Sequence, residues 1–600
     1  MKELTIFIDN REIKVLEGTT ILEAAKKAGI EVPTLCYYKD LNPTGNCGVC
    51  VVEVEGVDTF KRACITQVEN NRKYNTNTKK VMDARKAVVE LILSNHPNDC
   101  LKCIRNQNCE LQTLAADLGI REFPFERFDK DMPIDKKGVI IRDSNKCIQC
   151  GRCIKACQDI QTVNAIDFVN RGYETKLGTF MDLPLNDTTC TNCGQCVAVC
   201  PVGALYERDD TSAVWAAIND PTKHVVVQEA PAVRVAIGEE FGMPEGTVSS
   251  GKMHTALRRM GFDRVFDTNF TADLTIMEEG TEVVNKIATA FKTGEIGKNL
   301  PVITSCSPGW IKFMETFFPN LREHISTAKS PQQMFGPLAK TYYAEQEKID
   351  PKNIVSVSIM PCTAKKFEAA RPEMNSSGYQ DVDYVLTTRE FGRMIKEAGI
   401  DFKNLPEEEA DELMGFYTGA ATIFGATGGV MEAALRTVWF VLTGKEMENY
   451  DIKLVRGMET GIKEGVVEIP LKEEIAKDLG IKVLPAKVAV AHGLSNARIL
   501  LTKVAAQLKE KGQSEYHFIE IMACPGGCVG GGGQPYACEY AARARRAEGL
   551  YKEDKDITKV RASHNNPMIT KIYKDFLEKP NSHKAHKLLH TKYVDRSDLV

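Results

Sequence analysis

Two cysteine runs decide how this chain is built: CIQCGRCIKAC at residues 147–157 and CTNCGQCVAVCP at residues 190–201. Both have the spacing C-x2-C-x2-C-x3-C, and 32 residues separate the two runs. In this arrangement each run gives three thiolates to one [4Fe–4S] cluster and its fourth thiolate to the other cluster. The pattern predicts one cluster on Cys147, Cys150, Cys153 and Cys200, and another on Cys157, Cys190, Cys193 and Cys196.

A different cysteine module opens the chain. It has the spacing C-x10-C-x2-C-x13-C and follows a segment that alternates like a pair of strands. This favours a [2Fe–2S] cluster in a β-grasp, ferredoxin-like domain at residues 1–79. A structural zinc site is the alternative, although zinc usually takes its thiolates as two close pairs. The four thiolates belong to Cys36, Cys47, Cys50 and Cys64.

A third type of module, within residues 80–120, combines one imidazole with three thiolates. Spacing alone does not separate zinc from a [4Fe–4S] cluster here, but the position between two iron–sulfur modules favours iron. A neutral imidazole in place of a thiolate should raise the reduction potential of such a cluster. The predicted ligands are His96, Cys100, Cys103 and Cys109.

The composition sets limits on the class of protein. Fifteen of the twenty cysteines fall in the first 200 residues, and 600 residues exceed what one hydrophobic core usually holds. A net charge of −4 without long basic runs gives no support to binding of nucleic acid or membrane surfaces. Since neither a signal peptide nor a membrane-spanning run stands out, we expect a cytoplasmic protein, in which clustered cysteines bind metal rather than form disulfides.

From about residue 220 strand and helix signals alternate, which predicts α/β layers. The runs HVVVQE (224–229), IVSVSIM (354–360) and VAVAH (488–492) are typical of buried strands. The expected protein is therefore multidomain, of mixed α/β and α+β class. The domains that follow the first two are a 2[4Fe–4S] ferredoxin-like domain at residues 137–212, a large α/β domain at 220–545, and a C-terminal tail at 546–600 that wraps the surface.

Three segments of the large domain hold cysteines in unusual surroundings: TSCSPGW at residues 304–310, MPCTAKKFE at 360–368 and MACPGGCVGGGGQP at 522–535. They closely resemble the three signature motifs of [FeFe]-hydrogenases, and the preceding modules resemble those of the large, multi-cluster members. The resemblance spans essentially the whole chain. It implies an H-cluster, in which a [4Fe–4S] cubane is joined through one cysteine sulfur to a diiron unit carrying CO, cyanide and a bridging azadithiolate.

Position by position, the resemblance implies how this cofactor would be surrounded. Cys362, Cys524 and Cys528 would bind the cubane, and Cys528 would also bridge to the diiron unit. Cys306 would be the thiol that relays protons, and Lys365 would donate a hydrogen bond to a cyanide. The cofactor would be enclosed further by Pro231, Gln332, Met360 and Met522.

The resemblance also implies a route for protons. Glu279 and Glu282 lie three positions apart on a predicted helix and so on one face. Such carboxylates often form only a solvated face, but these two match the family's proton channel, as does Ser326. Protons would pass from Cys306 by way of a water, Glu279, Ser326 and Glu282. Lys286 stands where some relatives have an arginine near the channel mouth. A lysine should keep the positive charge but lose the bidentate hydrogen bonding of a guanidinium.

One position departs from the family pattern. Most relatives read Thr-Ser-Cys-Cys-Pro in the first motif, where the second cysteine is the fourth cubane ligand, and this chain has Ser307. Three explanations stay open: Ser307 ligates through oxygen and lowers the cubane's potential, Cys306 turns to take its place, or the serine is a deliberate substitution. We favour a natural variant. The remaining cysteine, Cys538, is predicted to be a buried core thiol.

The implied activity is reversible H2 formation, 2H+ + 2e− ⇌ H2, with four accessory clusters relaying electrons. No dinucleotide-binding fingerprint is present, so electrons would be exchanged with ferredoxin or with separate flavin subunits that handle NAD(P)H. One rival is an electron-transfer subunit like that of respiratory complex I, which would not carry the three motifs. Another is a sensory or iron–sulfur-assembly relative, which tends to lose Lys365 or the carboxylates of the proton route.

Overall fold

The computed structural model describes residues 2–122, 124–126, 131–536 and 538–599. The chain divides into two units. Among the described residues, no helix is both long and apolar enough to cross a bilayer. The first unit comprises Met1–Asp159, Asn164–Leu185 and Val199–Tyr206, and the second comprises Ile160–Val163, Asn186–Ala198 and Glu207–Val600.

The first unit begins with a five-stranded mixed sheet. Buried and more exposed side chains alternate along its first strand, so one face packs on a small apolar core. The helix Ile21–Lys27 packs on the same core and starts with a capping box between Thr20 and Glu23. In spatial order the strands are Arg11–Leu16, Glu3–Ile8, Lys73–Asn75, Val51–Val54 and Val57–Arg62.

The rest of the first unit consists of helices, short strands and the loops that contain most of its other cysteines. The strands Asp167–Val169 and Lys176–Gly178 form an antiparallel hairpin between the two cysteine runs. The further helices are Lys79–Ser94, Glu110–Asp117 and Arg152–Lys155, and the further short strands are Ile140–Arg142 and Leu205–Glu207.

The second unit contains two four-stranded sheets. The first is parallel throughout, in the order Arg264–Asp267, His224–Glu229, Ile354–Met360 and Tyr384–Thr387. The second has the order Val302–Ile303, Phe518–Met522, Val483–His492 and Ile462–Pro470, and its last strand is antiparallel. All residues of Ile354–Met360 and of Phe518–Met522 are buried, as expected for parallel strands covered on both faces. The α/β layers predicted from residue 220 onward are present.

Helices cover both sheets. Thr268–Thr293 follows the edge strand of the first sheet, begins where the Asp267 side chain accepts a hydrogen bond from the Asn269 N–H, and ends at Gly294 in the left-handed conformation. The other helices before the tail are Gln195–Ala198, Thr211–Ile218, Pro231–Arg234, Ser250–Met260, Ile296–Asn299, Pro308–Phe317, Pro331–Leu338, Ala344–Glu347, Ala364–Ala369, Thr388–Glu397, Gly419–Thr422, Gly429–Thr443, Glu473–Leu479, Leu494–Lys511 and Tyr540–Lys552.

The C-terminal tail contributes to the core of the second unit. Its helices are Pro567–Ile572 and His583–Leu589, and a π-helical turn extends the first of them over Tyr573–Leu577. Apolar side chains of all three segments pack in one buried cluster with Phe266 and Phe335. The tail is therefore held by apolar burial as well as by surface contacts.

Candidate active site

A cavity of about 710 Å³ lies where four strands of the second unit end. Carboxyl ends of strands are where open α/β sheets place their ligands, because the loops that follow diverge there. Each of the four loops contributes lining residues. They are Ala230, Pro231 and Ala232 after His224–Glu229, Cys306 and Ser307 after Val302–Ile303, Pro361 and Cys362 after Ile354–Met360, and Ala523 and Cys524 after Phe518–Met522.

The three predicted cubane ligands line this cavity together. Burial raises the pKa of Cys362 to about 12 and that of Cys528 to about 11, and it raises the pKa of Cys524 as well. A buried thiolate is costly unless a positive charge compensates it, and cluster iron is such a charge. Three thiols that converge on an apolar cavity therefore fit an iron–sulfur cluster. They do not fit a hydrolytic or acid–base site.

Glycine backbone closes the cavity behind Cys528. Gly527 has φ +91°, and a Cβ there would lie 2.7 Å from the Thr427 nitrogen. Any residue with a side chain would be strained at this position in two ways. The left-handed backbone conformation disfavours a Cβ, and the atom that the Cβ would meet belongs to the backbone and cannot easily move. Glycine at this position thus lets the backbone of the Cys528 segment pack directly against the backbone of Thr427.

Lys365 places a positive charge at the cavity wall. Its Nζ donates to the Cys306 carbonyl oxygen over 3.1 Å and to Glu368 Oε2 over 2.8 Å. Gln332 Nε2 donates to the same carboxylate oxygen over 3.2 Å. Gln332 Oε1 is buried and has no hydrogen-bond partner among the described residues. The Lys365 ammonium and the unpaired Gln332 amide oxygen therefore give this wall of the cavity the means to contact a cofactor that carries polar ligands.

Glu368 is a site residue that the sequence analysis did not single out. Its carboxylate accepts from Lys365 and Gln332, and also from Ser330 Oγ over 3.0 Å. It therefore holds the two polar side chains of the wall in fixed positions. Its place three residues after Lys365, on one helical face, is the signal that could have revealed it.

Cys306 and the carboxylates of the proposed proton route form a continuous set. Glu279 is buried, and burial, with the charge of Glu282 next, raises its pKa to about 8. Burial also raises the pKa of Cys306, and the charge of Glu279 adds to this. Ser326 Oγ donates to Glu282 Oε2 over 2.9 Å and is a hydrogen-bond partner of Glu279. The structure thus brings together every protein group of the predicted route.

The outer end of this set carries a salt bridge. Lys286 Nζ lies 3.1 Å from Glu282 Oε1, and the lysine side chain is 24% exposed. The same carboxylate accepts from the Thr327 N–H over 3.1 Å. The side nearer the cavity contains Glu279, whose Oε1 has no partner among the described residues and can receive a water. The set therefore runs from a buried thiol to a partly exposed ion pair.

The other predicted enclosing residues also line the cavity. Pro231, Met360 and Met522 form part of its apolar wall. Cys538, by contrast, lies outside it, is buried, and accepts a hydrogen bond from Arg546 Nη1 over 2.9 Å. It is a core thiol, as predicted.

Two of the predicted sets of accessory-cluster ligands lie close together in the first unit. In the first unit, Cys147, Cys150, Cys153 and Cys200 line one pocket of about 320 Å³. The [2Fe–2S] cysteines lie in mutual contact: the sulfurs of Cys50 and Cys64 are 3.4 Å apart, and Cys36 contacts both Cys47 and Cys64.

The imidazole of the one-histidine module has the protonation state and the unpaired nitrogen that binding to a metal requires. His96 is buried, which lowers its pKa and keeps it neutral. Its Nδ1 accepts from the Asn98 N–H over 3.4 Å, while Nε2 has no partner among the described residues. A neutral ring with one unpaired nitrogen is what a metal requires. Its predicted companions are Cys100, Cys103 and Cys109, of which Cys100 begins the short helix Cys100–Lys102 and Cys103 follows it.

In the second unit, the first three cysteines of the second run lie in a loop that is hydrogen-bonded to the cavity loops. Burial raises the pKa of Cys524, and the charges of Cys362 and Cys193 add to this. Gln195 Nε2 donates to the Gly530 carbonyl oxygen over 2.8 Å, and Thr363 Oγ1 donates to the Asn192 carbonyl oxygen over 2.7 Å. These bonds join the loop of Cys190, Cys193 and Cys196 to two of the three cysteine motifs.

Five protein families match the chain. The C-terminal domain of the iron only hydrogenase large subunit matches residues 223–532, and the iron hydrogenase small subunit matches residues 540–596. A 2Fe-2S iron-sulfur cluster binding domain matches residues 1–79. The iron-sulfur binding region of NADH-ubiquinone oxidoreductase-G matches residues 85–124, and a 4Fe-4S dicluster domain matches residues 146–204.

Several proteins are similar over most of the chain. The NADP-reducing hydrogenase subunit HndD of Solidesulfovibrio fructosivorans is 48% identical over 100% of both chains. Iron hydrogenase 1 of Clostridium pasteurianum is 42% identical over 98% of this chain and 99% of its own. A solved structure of the [FeFe]-hydrogenase HydA1 from Chlamydomonas reinhardtii is 42% identical with a TM-score of 0.57, covering 65% of this chain and 99% of that one. Cytosolic iron-sulfur assembly component 3 of Mus musculus is 30% identical over 71% of this chain and 86% of its own.

Proposed function

Because the chain belongs to the iron-only, or [FeFe]-, hydrogenase family, we propose that it is the hydrogen-converting subunit of an assembly whose other subunits handle NAD(P)H. It is an oxidoreductase with an H-cluster domain and accessory iron–sulfur domains. The reaction is the reversible conversion 2H+ + 2e− ⇌ H2. The observation that carries this function is the cavity that Cys362, Cys524 and Cys528 share with Cys306 and Lys365.

We assign the cofactor contacts to the residues of this cavity. Cys362, Cys524 and Cys528 would hold the cubane, and Cys528 would be the cysteine shared with the diiron unit. When bound, the H-cluster supplies the metal chemistry by which H2 is formed and split. Lys365 presents its ammonium to a cyanide, and Glu368 keeps that ammonium in place. The apolar wall, which includes Pro231, Met360 and Met522, excludes water and so strengthens these polar contacts.

We assign proton transfer to Cys306, Glu279, Ser326 and Glu282. A relay group works best when its pKa lies near the working pH, and burial brings the pKa of Glu279 to about 8. The bond between Ser326 and Glu282 continues the route, and the ion pair with Lys286 marks its outer end. Each group holds or passes a proton at an oxygen or sulfur atom.

We assign electron transfer to four accessory clusters on the cysteines and the histidine predicted above. The cluster on Cys190, Cys193, Cys196 and Cys157 would be the one that exchanges electrons with the cubane. The hydrogen bonds from Gln195 to Gly530 and from Thr363 to Asn192 support this order, because they hold the loop of Cys193 against the motifs of the cubane cysteines and electron transfer between clusters requires short distances.

The partner of the clusters is a further part of the proposal. The relative from Solidesulfovibrio fructosivorans is named as a subunit of an NADP-reducing hydrogenase, and it matches this chain from end to end. We therefore favour flavin subunits that handle NAD(P)H over direct exchange with ferredoxin alone, in the cytoplasm where thiols stay reduced. The purified chain should then reduce a viologen dye with H2 but should not reduce NADP+ unless partner subunits are added. Reduction of NADP+ by the chain alone would contradict this assignment.

A second candidate function is a role in iron–sulfur assembly without hydrogen turnover. It is favoured by the 30% identity to cytosolic iron-sulfur assembly component 3. The arrangement of Cys306, Glu279 and Lys365 favours the hydrogenase, because an assembly factor has no use for a buried proton relay.

Infrared spectroscopy of the chain matured with the diiron unit tests the function directly. The spectrum should show CO and cyanide stretching bands, and the sample should evolve H2 from reduced dye. A protein with its iron–sulfur clusters complete but with neither bands nor H2 would refute the hydrogenase function and leave the assembly role.

A further inference from the structure

We propose that Ser307 binds the fourth iron of the cubane through its Oγ, so that this cluster has three thiolate ligands and one alkoxide ligand. The inference rests on the assignment of the cubane to Cys362, Cys524 and Cys528. On ligation the hydroxyl gives its proton to water, and an Fe–O bond replaces the O–H bond without any change in oxidation state.

The position of the Ser307 side chain is the first argument. Ser307 is the N-cap residue of the helix Pro308–Phe317, where a serine usually accepts a hydrogen bond from its own helix. Here the side chain makes no capping bond. Instead it lies at the cavity wall, with Oγ 3.2 Å from the backbone nitrogen of Ala523. The residue thus forgoes its ordinary local role and places its oxygen beside the residue that precedes Cys524.

The bond from Ala523 is the second argument. A serine alkoxide is a strong base, and a backbone N–H that donates to it stabilises the negative oxygen. The donor is fixed, because Ala523 follows directly on the buried strand Phe518–Met522. The same wall carries three buried thiols, so an oxygen placed here completes a set of four donors.

The third argument concerns the backbone around Cys306, which disfavours ligation of the cubane by the Cys306 thiol. Lys365 Nζ donates to the Cys306 carbonyl oxygen over 3.1 Å. Ser305 Oγ donates to a backbone carbonyl oxygen over 2.5 Å, and the buried Trp310 Nε1 donates to the Thr304 carbonyl oxygen over 3.0 Å. These bonds hold the backbone of residues 304–306 in place, so that the Cys306 thiol could approach the ligand position only by rotation of its own side chain. Cys306 therefore stays with Glu279 on the proton route, and Ser307 takes the fourth iron.

An isotope experiment on the full chain tests this ligation. The chain is produced with 13Cβ-labelled serine in a host that cannot convert serine into cysteine and is supplied with unlabelled cysteine, and electron–nuclear double resonance is recorded on the reduced iron–sulfur clusters. The other predicted cluster ligands are cysteines and one histidine, so a strong 13C coupling from serine can arise from one cluster only. We expect this coupling in the native chain, its loss in Ser307→Ala and Ser307→Cys, and its retention in the matched control Ser305→Ala. Ser307→Cys should also shift the cubane's midpoint potential upward, because a thiolate is a softer donor than an alkoxide.

Several results would overturn the proposal. Absence of the coupling from the native chain is one, and its persistence in Ser307→Ala is another. Loss of the cubane signal in Cys306→Ala, together with its survival in Ser307→Ala, would assign the ligand to Cys306. The infrared bands of the matured native chain separate this failure from failure of the function. Bands without 13C coupling refute only the serine ligation, whereas absence of bands and of H2 refutes the hydrogenase on which it rests.

Discussion

Replacing Glu279 by glutamine should stop proton delivery while leaving the fold and the clusters in place. The carboxyl group is buried, and its pKa of about 8 means that roughly ten carboxylic acids exist for each carboxylate at pH 7. Glutamine keeps the size and the hydrogen bonds but cannot release a proton. A positioned acid or base contributes about 10²- to 10⁴-fold to a rate, which is about 3–5 kcal/mol of barrier. We expect H2 evolution to fall by that factor.

The pH dependence of the native enzyme follows from the same group. Glu279 must be protonated to supply a proton for H2 evolution, and it must be ionised to accept one during H2 oxidation. The pKa in the folded protein is raised, so the protonated form persists up to about pH 8 and is lost above it. Evolution should therefore weaken above about pH 8, and oxidation should weaken below it. Both profiles should lose this inflection in Glu279→Gln.

The assay combines the rate of H2 evolution with an infrared measurement of the protonation state of Glu279. H2 evolution from reduced dye gives the rate, and the C=O stretch of a protonated carboxyl group at pH 7 should vanish in Glu279→Gln. Glu278→Gln is a matched control, because Glu278 is also buried but is not one of the groups assigned to proton transfer. Its carboxylate accepts hydrogen bonds from Tyr573 Oη over 2.5 Å and from the Asn581 N–H over 2.8 Å. If Glu279→Gln, with full cluster content, keeps more than about a tenth of native turnover, the relay argument is wrong.

Three further substitutions test neighbouring parts of the machinery. Glu368→Gln removes the charged partner 2.8 Å from Lys365, so we expect the cyanide bands to shift and turnover to fall about tenfold; unchanged bands would mean that Glu368 does not position the ammonium. His96→Cys adds a negative charge to its cluster and should lower that cluster's midpoint potential in a redox titration; an unchanged or higher potential would argue against histidine ligation. Lys286→Ala removes a partly exposed ion pair with Glu282 and should slow turnover about two- to fivefold, an effect that shrinks at high salt; a salt-independent loss would point to a structural role instead.

Much of the fold follows from local sequence patterns. The strands predicted at residues 224–229 and 354–360 form with those bounds, because continuous β-branched and apolar runs satisfy a parallel sheet buried on both faces. Strand ends then place cysteines predictably, since parallel strands end on one side of a sheet. This rule places Cys362 and Cys524 each directly after the end of a buried strand, but the two strands belong to different sheets, so the gathering of both cysteines at one cavity also depends on how the two sheets pack.

What the sequence could not supply are contacts between distant segments. The bond from Ala523 to Ser307 joins residues 216 positions apart, and no periodicity records it. The role of the tail was missed for the same reason. His590 contacts Glu278, and Tyr593 Oη donates to the Ser326 carbonyl oxygen over 2.6 Å, although both residues lie in a stretch that looks merely polar. Such pairings depend on how the segments dock, which the residues themselves do not encode locally.

The docking of this tail has a consequence for how the enzyme is made. Its sequence matches a family described as a small subunit, yet here it is covalently part of the chain. Fusion fixes the stoichiometry at one tail per catalytic centre, and the tether gives the tail an effective concentration of about millimolar or more. Dilution therefore cannot strip Tyr593 from the backbone of Ser326. Since the tail follows the rest of the catalytic domain along the chain, the environment of the proton route is completed only after the tail has left the ribosome.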